Sequence, residues 1–384
     1  MEAKKDWIER TLFKRAEARF FLGKAVVVTG PRQVGKTSLC KRWVGSNAEA
    51  LWLTGDDPDT SGWLQSLTTD RWEVALRGKR FLVIDEAQLI PEVGRIAKRV
   101  VDFFPNVQVF LTGSSSVLLT GAVNESLTGR KWEFTLLPFS RAEMQAHFGV
   151  LQEQRMLPER LVYGAYPEVV LASDWRDDRL KLLADSYLYR DILAVDSVLR
   201  PEALVKLVRA LAFQVGSLVS YHELAQLAGL DAKTVERYID LLEKAYVVFR
   251  VGAFSGNLRS ELKRAKKVYF YDNGIRNAVL GDLRPLEMRK DVGALWENYA
   301  LSERRKALLH RGQSAEQFFW RTKDGVEWDW VERTAGSLKA WECKWNDKAR
   351  PKRSQAFEAA YPEAVTGWVT PSLLDDFLAD GAPQ

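Results

Sequence analysis

The stretch that most constrains this chain is VVVTGPRQVGKTSL, residues 26–39. A short β-branched run ends at Gly30, and a second glycine, Gly35, precedes Lys36 and Thr37. The spacing is G-x-x-x-x-G-K-T, and its flanks predict a buried strand before it and a helix after it. Glycines let the backbone curl so that several N–H groups face inward and hold phosphate oxygens. The stretch therefore predicts a phosphate-binding loop within an α/β sheet.

The loop residues take distinct roles in this prediction. Lys36 reaches the β- and γ-phosphates as a point charge, and Thr37 ligates Mg²⁺. The residues expected to contact ATP are Gly30, Pro31, Arg32, Gln33, Val34, Gly35, Lys36, Thr37 and Ser38. The alternative is a glycine-bounded turn with a chance Lys-Thr, which the flanking strand and helix patterns disfavour.

A second strand offers the carboxylates that a phosphate loop needs. Four apolar residues, 81–84, predict a central parallel strand, and Asp85 and Glu86 follow them directly. Ligands bind beyond the carboxyl ends of such strands. We expect Asp85 to hold Mg²⁺ through water and Glu86 to polarise the attacking water.

A third strand is predicted at 107–111, and the polar residues TGSS follow it. We expect Ser114 to sense the γ-phosphate or to position water, with an ordinary Gly-Ser turn as the alternative. Arg130 precedes a further predicted strand, 132–137. In a homo-oligomer, Arg130 is expected to reach a nucleotide on the neighbouring subunit and offset transition-state charge. A plain surface arginine is the alternative.

Four motifs in order, GPRQVGKT, FLVIDEAQ, LTGSSS and LTGR, resemble a prokaryotic AAA-type ATPase family. The resemblance implies a P-loop core followed by a C-terminal region with a winged helix and a nuclease-like fold. It also places Arg130 at the arginine-finger position of AAA+ ATPases.

Residues 220–251 predict two helices and a strand joined by short turns. Ser220 and Asp231 are positioned to cap helices at 221–228 and 232–244. Helix–turn–helix–strand is the outline of a winged helix. The residues on the second helix expected to contact DNA are Lys233, Thr234 and Arg237. A module that only packs is the alternative.

The segment 259–267 carries five basic residues against one carboxylate. Those expected to grip phosphates are Lys263, Arg264, Lys266 and Lys267. The alternative is a solvated charged face.

The C-terminal third predicts a small sheet with acidic residues on one face. Alternation in the strand 326–331 places Glu327 and Asp329 on one side and Trp328 and Trp330 on the other. The next predicted strand, 338–345, carries Glu342 and Lys344 on a shared face, and a helix carries Glu297.

The order Asp…Glu-x-Lys resembles the PD-(D/E)xK nuclease superfamily. The resemblance implies that Glu297, Asp329 and Glu342 bind Mg²⁺ and that Lys344 steadies the attacking water or developing charge. Two alternatives stay open. One is a charged solvent face, and the other is a nuclease fold that binds nucleic acid or a partner without cutting.

Length and composition bound the architecture and class. The 384 residues, 46% hydrophobic and 28% charged, predict a multidomain α/β protein with a parallel-sheet P-loop core. The expected division is a P-loop ATPase core at 1–145, a helical connector or lid at 146–205, a winged helix at 206–255 and a nuclease-like domain at 256–384. A net charge of +5 permits nucleic-acid binding.

Several classes are disfavoured. No apolar run approaches a bilayer span, the first residues lack a secretory h-region, and two cysteines make no disulfide framework, so a cytoplasmic protein without membrane partners is expected. The predicted function is Mg-ATP hydrolysis coupled to DNA binding or processing. The alternative is a slow nucleotide-dependent switch whose C-terminal region binds a partner or DNA without cleaving it.

Overall fold

The computed structural model describes residues 7–45, 49–113, 126–186, 200–255, 266–322, 325–349 and 355–379. The chain is α/β and divides into two compact units. The first unit comprises Met1–Phe139 and Lys244–Tyr246, and the second comprises Ser140–Glu243 and Val247–Gln384. The finer division into four domains remains a prediction. Within the described residues, every helix is too short or too polar to cross a bilayer.

The first unit is built on a five-stranded parallel sheet. Its strands are β1 Ala25–Thr29, β2 Ala50–Thr54, β3 Phe81–Asp85, β4 Gln108–Gly113 and β5 Lys131–Thr135. Its described helices are α1 Thr11–Glu17, α2 Lys36–Val44, α3 Pro58–Ser66, α4 Thr69–Ala75 and α5 Val93–Phe103. The strand order is β2-β3-β4-β1-β5, and every neighbouring pair is parallel. Parallel pairing requires crossover connections, which these helices supply.

The three middle strands of this sheet form its core. Every residue of β1, β3 and β4 is buried, as their continuous apolar sequences predict. Leu82 and Leu111 pack with the fully buried Trp72 of α4 in one apolar cluster. Because the strands are parallel, their carboxyl ends meet at one edge, which we call the carboxyl edge.

The second unit contains more helices and a mixed sheet. Its described helices are α6 Arg141–Phe148, α7 Val150–Arg155, α8 Leu157–Tyr163, α9 Pro167–Val170, α10 Arg176–Ser186, α11 Pro201–Phe213, α12 Tyr221–Ala228, α13 Ala232–Lys244, α14 Asn273–Leu280, α15 Val292–Arg311, α16 Gln355–Ala360 and α17 Leu374–Leu378. Its strands are β6 Leu218–Val219, β7 Val248–Ala253, β8 Lys266–Phe270, β9 Glu316–Arg321, β10 Glu327–Thr334, β11 Ser337–Cys343 and β12 Val365–Val369.

One seven-stranded sheet, in the order β12-β11-β10-β9-β7-β8-β6, runs through this unit. The strands β6 and β7 each pair antiparallel with β8. A short parallel pairing of β7 with β9, at Gly252 and Ala253, joins them to the remaining strands. Strands from both sides of residue 255, where the sequence suggested a domain boundary, therefore share one sheet.

The two helices predicted within 220–251 are present as α12 and α13. Gly229 ends α12 with a φ of 68°, a left-handed conformation suited to glycine. The predicted apolar stripe of α13, including Val235, Ile239 and Leu242, is buried. The strand begins at Val248 rather than at 246, because Tyr246 has a φ of 60°, which interrupts the extended chain.

A bulge in β10 overturns the predicted strict alternation. Pairing with β9 shifts register between Trp328 and Val331. Trp328 packs against Phe357 of α16, whereas the indole of Trp330 donates to the buried Glu332 carboxylate. Trp328 and Trp330 therefore do not share one apolar surface, because the bulge adds a residue between them.

Candidate functional site

The turn after β1 accepts only glycine at its first position. Gly30 has a φ of 150°, and a Cβ built there would lie 2.0 Å from the carbonyl oxygen of Leu136. The same segment is tied to β1, since the Leu136 N–H donates to the Thr29 carbonyl at 2.8 Å. Gly35, with a φ of 92°, forms the cap of α2. The two glycines of the motif thus allow the chain to leave the strand and enter the helix.

Lys36 is the first residue of α2 and folds back over the loop. Its ammonium donates to the carbonyls of Gly30 at 2.9 Å and Pro31 at 2.7 Å. The residue is only 5% exposed. A cation is thereby held beside the curled backbone, where phosphate oxygens are expected.

The carboxylate of Asp85 organises the carboxyl edge. Thr37 Oγ1 donates to Asp85 Oδ2 at 2.7 Å, and the hydroxyl of Thr112 donates to Oδ1. Asp85 directly follows Ile84, which pairs with Leu111, so Asp85 and Thr112 lie side by side. The sequence prediction included Thr112 in the polar group TGSS but not its contact with Asp85, and Ser114, which it singled out, lies outside the described residues. The available signal was that parallel β3 and β4 end in adjacent polar residues.

Glu86 occupies an unusual backbone conformation. Its φ is 48°, which costs a non-glycine residue about 1–2 kcal/mol. Gln88 Nε2 donates to Glu86 Oε2, so the carboxylate is oriented by a residue that the sequence motif contained but did not assign. Strain of this kind concentrates at functional sites.

The residues at the carboxyl edge fit Mg-ATP. A hydroxyl and a carboxylate are the hard oxygen donors that Mg²⁺ prefers. They lie together beside a loop that carries a buried lysine. Burial, followed by the Asp85 charge, raises the pKa of the nearby Cys40 thiol, so that side chain stays neutral.

Arg130 lies at the opposite edge of the sheet. β5 runs parallel to β1, and Lys131 pairs with Ala25 at the start of that strand. Arg130 is therefore level with Lys24, and at about 3.3 Å per residue its backbone lies roughly 20 Å from Gly30 of its own chain. Its Nε donates to Asp102 at 2.6 Å. This separation places the Arg130 backbone away from the phosphate loop of its own chain, and action in trans remains a prediction.

A second group of predicted residues lies in a cavity of about 490 Å³ in the second unit. The charged residues that line it are Lys267, Glu297, Arg321, Glu327, Asp329, Glu342 and Lys344. All four residues expected from the nuclease-like pattern are among them. Lys267, Arg321 and Glu327 are additions that the pattern did not include.

Lys267 occupies the centre of this acidic pocket. Its Nζ is 3.2 Å from Glu297 and 3.4 Å from Asp329, and it also pairs with Glu327. The side chain is 3% exposed. The sequence placed Lys267 on a phosphate-gripping surface, whereas the structure places it among Glu297, Glu327 and Asp329. Alternation in β8 turns Lys267 inward, where three carboxylates neutralise it.

Two further donors fix the pocket carboxylates. The Cys343 N–H donates to Asp329 Oδ2 at 2.8 Å, and the Tyr269 hydroxyl donates to Glu297 Oε1 at 2.6 Å. Burial, followed by repulsion from Asp329, raises the pKa of Glu297 to about 7. Burial opposes the charge on Lys267, but the carboxylates outweigh it and raise its pKa, so Lys267 is charged at neutral pH.

Glu342 and Lys344 line the pocket as an ion pair. Their side chains meet at 2.5 Å, and the Lys344 side chain is 41% exposed. Burial raises the pKa of Glu342. Across the described residues, no three His, Cys, Asp or Glu side chains are arranged to hold a metal ion. The predicted metal ligands are near one another but are engaged with lysines.

The predicted DNA contacts on α13 differ in availability. Lys233 and Arg237 are exposed. The Thr234 hydroxyl donates to Asp231 Oδ2 at 2.7 Å, and its backbone N–H donates to Asp231 Oδ1 at 2.9 Å, so Asp231 caps the helix and engages Thr234. Lys266 is half-buried, with its ammonium 5.9 Å from the Tyr221 ring centre. Lys263 and Arg264 lie outside the described residues.

Family comparisons divide the chain into three matched segments. Residues 22–145 match the AAA domain. Residues 154–285 and 292–378 each match a domain of unknown function, DUF8612 and DUF4143 respectively.

Curated relatives match over most of the chain. Uncharacterized proteins of Mycobacterium bovis and Mycobacterium tuberculosis are each 30% identical over 329 residues, covering 83% of this chain and 70% of theirs. An uncharacterized protein of Haemophilus influenzae is 28% identical over 271 residues, covering 68% of this chain and 64% of its own.

Among solved structures, a Walker-type ATPase of Pyrococcus abyssi is similar, with a TM-score of 0.50 and 15% identity. The match covers 72% of this chain and 97% of the archaeal one. At this identity the likeness shows the fold alone.

Proposed function

The chain belongs to the AAA-type P-loop ATPase family that includes these mycobacterial relatives, and on that premise we propose that it binds and hydrolyses Mg-ATP. One observation carries the proposal. The hydroxyls of Thr37 and Thr112 hold both oxygens of Asp85 at the carboxyl edge, directly beside the loop.

The residues of the carboxyl edge divide the work. Loop N–H groups and Lys36 hold the triphosphate, while Thr37 and Asp85 hold the metal. Mg²⁺, when bound, offsets charge on the phosphate oxygens. Glu86 orients the attacking water and accepts its proton, and Gln88 keeps that carboxylate in place.

The test compares ATP binding and turnover in three variants. We expect Lys36→Ala to lose ATP binding, because the loop loses its cation, and Glu86→Gln to bind ATP but turn over at least 100-fold more slowly. Lys41→Ala is the matched control, since Lys41 is an exposed lysine on the same helix. Wild-type turnover in folded Lys36→Ala protein would refute the proposal.

We also propose that α13 contacts DNA through Lys233 and Arg237, whose exposure and charge support this role. Two lost phosphate contacts should reduce the slope of log affinity against log salt by about 2. Replacement of both residues by alanine tests this in a salt titration of DNA binding. Glu236→Ala is the matched control because Glu236 is an exposed neighbour of opposite charge. An unchanged slope in the double variant would remove the assignment.

For Arg130 we propose action in trans on the nucleotide of a neighbouring copy. Its distance from its own loop supports this. Arg130→Ala and Lys36→Ala proteins, each inactive alone, should regain turnover when mixed, because each then supplies what the other lacks. No recovery over a range of mixing ratios would exclude the arrangement.

The acidic pocket favours a second candidate function, a slow nucleotide-dependent switch whose C-terminal region binds DNA or a partner without cutting. The supporting observation is Lys267 among the carboxylates. The switch predicts slow turnover that DNA does not stimulate, and no cleavage with Mg²⁺ or Mn²⁺. Cleavage by wild-type protein that disappears in Asp329→Ala and Lys344→Ala would overturn it.

A further inference from the structure

In a divalent-metal centre, neighbouring carboxylates share one metal ion, whereas in the acidic pocket they share a lysine ammonium. Glu297 and Asp329 approach one point from α15 and β10, and the Lys267 ammonium occupies that point. Glu327, on the same strand as Asp329, is the third carboxylate that contacts Lys267. As arranged, these side chains do not fit a bound metal, and the nuclease-like pattern is satisfied only in sequence.

We infer that Lys267 is the resident cation of this pocket and excludes divalent metals from it. The inference concerns the pocket of the second candidate function and depends on no property of the nucleotide site. It makes the C-terminal region a metal-free binding module that retains the carboxylates of a nuclease-like site.

The carboxylates of the pocket outnumber its cations. Four carboxylates line the pocket with three cations, Lys267, Arg321 and Lys344. Lys344 forms an ion pair with Glu342, and Arg321 lies 3.3 Å from Glu327. Lys267 is thus the cation that lies between Glu297 and Asp329 and partly offsets their charge. A metal placed beside it would face a positive charge at close range.

Lys267 is held in place by the sheet. It lies in β8 and is paired with Val251 of β7, so its backbone is fixed within the sheet. Its ammonium also lies 5.6 Å from the Phe319 ring centre. Burial leaves this charge little access to water, so leaving the carboxylates is costly.

One oxygen of each of the Glu297 and Asp329 carboxylates is engaged by a neighbouring donor. Asp329 Oδ2 accepts from the Cys343 backbone, and Glu297 Oε1 accepts from Tyr269. A metal bound between Glu297 and Asp329 would have to displace Lys267.

The test is Mn²⁺ binding to the full chain without nucleotide, followed by electron paramagnetic resonance. Removing the positive charge in Lys267→Met should tighten Mn²⁺ binding by at least about 30-fold, because a unit charge and a divalent ion about 4 Å apart repel by roughly that factor even in water. The gain should vanish in Lys267→Met/Asp329→Asn. Lys267→Arg, which keeps the charge, should bind no better than wild type.

The wild type alone also decides the matter if Lys267→Met fails to fold. Millimolar Mn²⁺ should show no binding that Asp329→Asn removes. Wild-type binding that is lost in Asp329→Asn would overturn the inference, as would equal affinities in wild type and folded Lys267→Met. Failure of ATP binding would refute the proposed function and leave this result unaffected.

Discussion

Replacing Gly30 with alanine tests the geometry of the phosphate loop directly. The added Cβ would lie 2.0 Å from the Leu136 carbonyl oxygen, which belongs to backbone and cannot swing away. Relief requires the segment after β5 to move from β1. The hydrogen bond from Leu136 to Thr29 is then the first interaction lost.

The magnitude follows from two contributions. Holding alanine at the φ of 150° seen for Gly30 costs about 1–3 kcal/mol. Losing one backbone hydrogen bond costs about 1 kcal/mol more. The free energy of unfolding should therefore fall by about 2–4 kcal/mol, and the Tm of the first unit by about 8–16 °C at roughly 4 °C per kcal/mol.

Differential scanning calorimetry and ATP titration measure both effects. Gly62→Ala is the matched control, because Gly62 lies in α3 with open space around its Cβ. Alanine there should stabilise by about 0.5–1 kcal/mol. If Gly30→Ala melts within 2 °C of wild type and binds ATP normally, the loop does not have the geometry described.

Three other variants probe contacts around both units. Thr112→Val removes a donor to Asp85 and should raise the Mg²⁺ concentration needed for turnover by about 10- to 100-fold, whereas Thr112→Ser should not. The same Mg²⁺ requirement in Thr112→Val and the wild type would contradict the contact. Arg10→Met loses hydrogen bonds to the Val34 and Leu137 carbonyls and should lower the free energy of unfolding by about 2–4 kcal/mol. Arg10→Lys should recover only part of that free energy. An unchanged urea midpoint in Arg10→Met would contradict the prediction. The hydrogen bond from Arg284 lowers the pKa of Asp282 to about 2. The contribution of this ion pair to stability is therefore present above the ordinary pKa of 3.8 and is lost as the pH falls toward 2. In Asp282→Asn the Tm should depend less on pH in that range, and a pH profile identical to that of the wild type would refute this.

The geometry of the candidate nucleotide site could largely be predicted from the sequence because its parts are local. Gly30, Gly35, Lys36 and Thr37 act within one strand–loop–helix segment, so their spacing fixes their geometry. The contact of Thr112 with Asp85 was not predicted because it depends on which strands are neighbours. That adjacency is a property of the sheet and not of either strand alone.

The acidic pocket was only half readable for a related reason. Glu297, Asp329, Glu342 and Lys344 were predicted to meet and do line one cavity. The position of Lys267 in the pocket was not predicted, because a run of basic residues was treated as one surface. The alternation of β8 separates Lys266 from Lys267, and the apolar neighbours Val268 and Phe270 gave a signal for a buried strand.

The bulge in β10 was beyond sequence reasoning. Alternation predicted Trp328 and Trp330 on one surface, and nothing in EWDWV marks the extra residue. Register shifts depend on the partner strand, and β9 lies on the other side of the hairpin.

The pairing of β7 with β9 has a consequence for dissecting the chain. Removing residues after 255 would take away both β8 and β9, which flank β7. β7 would then present bare backbone N–H and C=O groups along two edges, an invitation to intermolecular strand addition and aggregation. A truncated N-terminal fragment should therefore precipitate or form soluble aggregates, and loss of function in such a fragment says nothing about catalysis by the missing part.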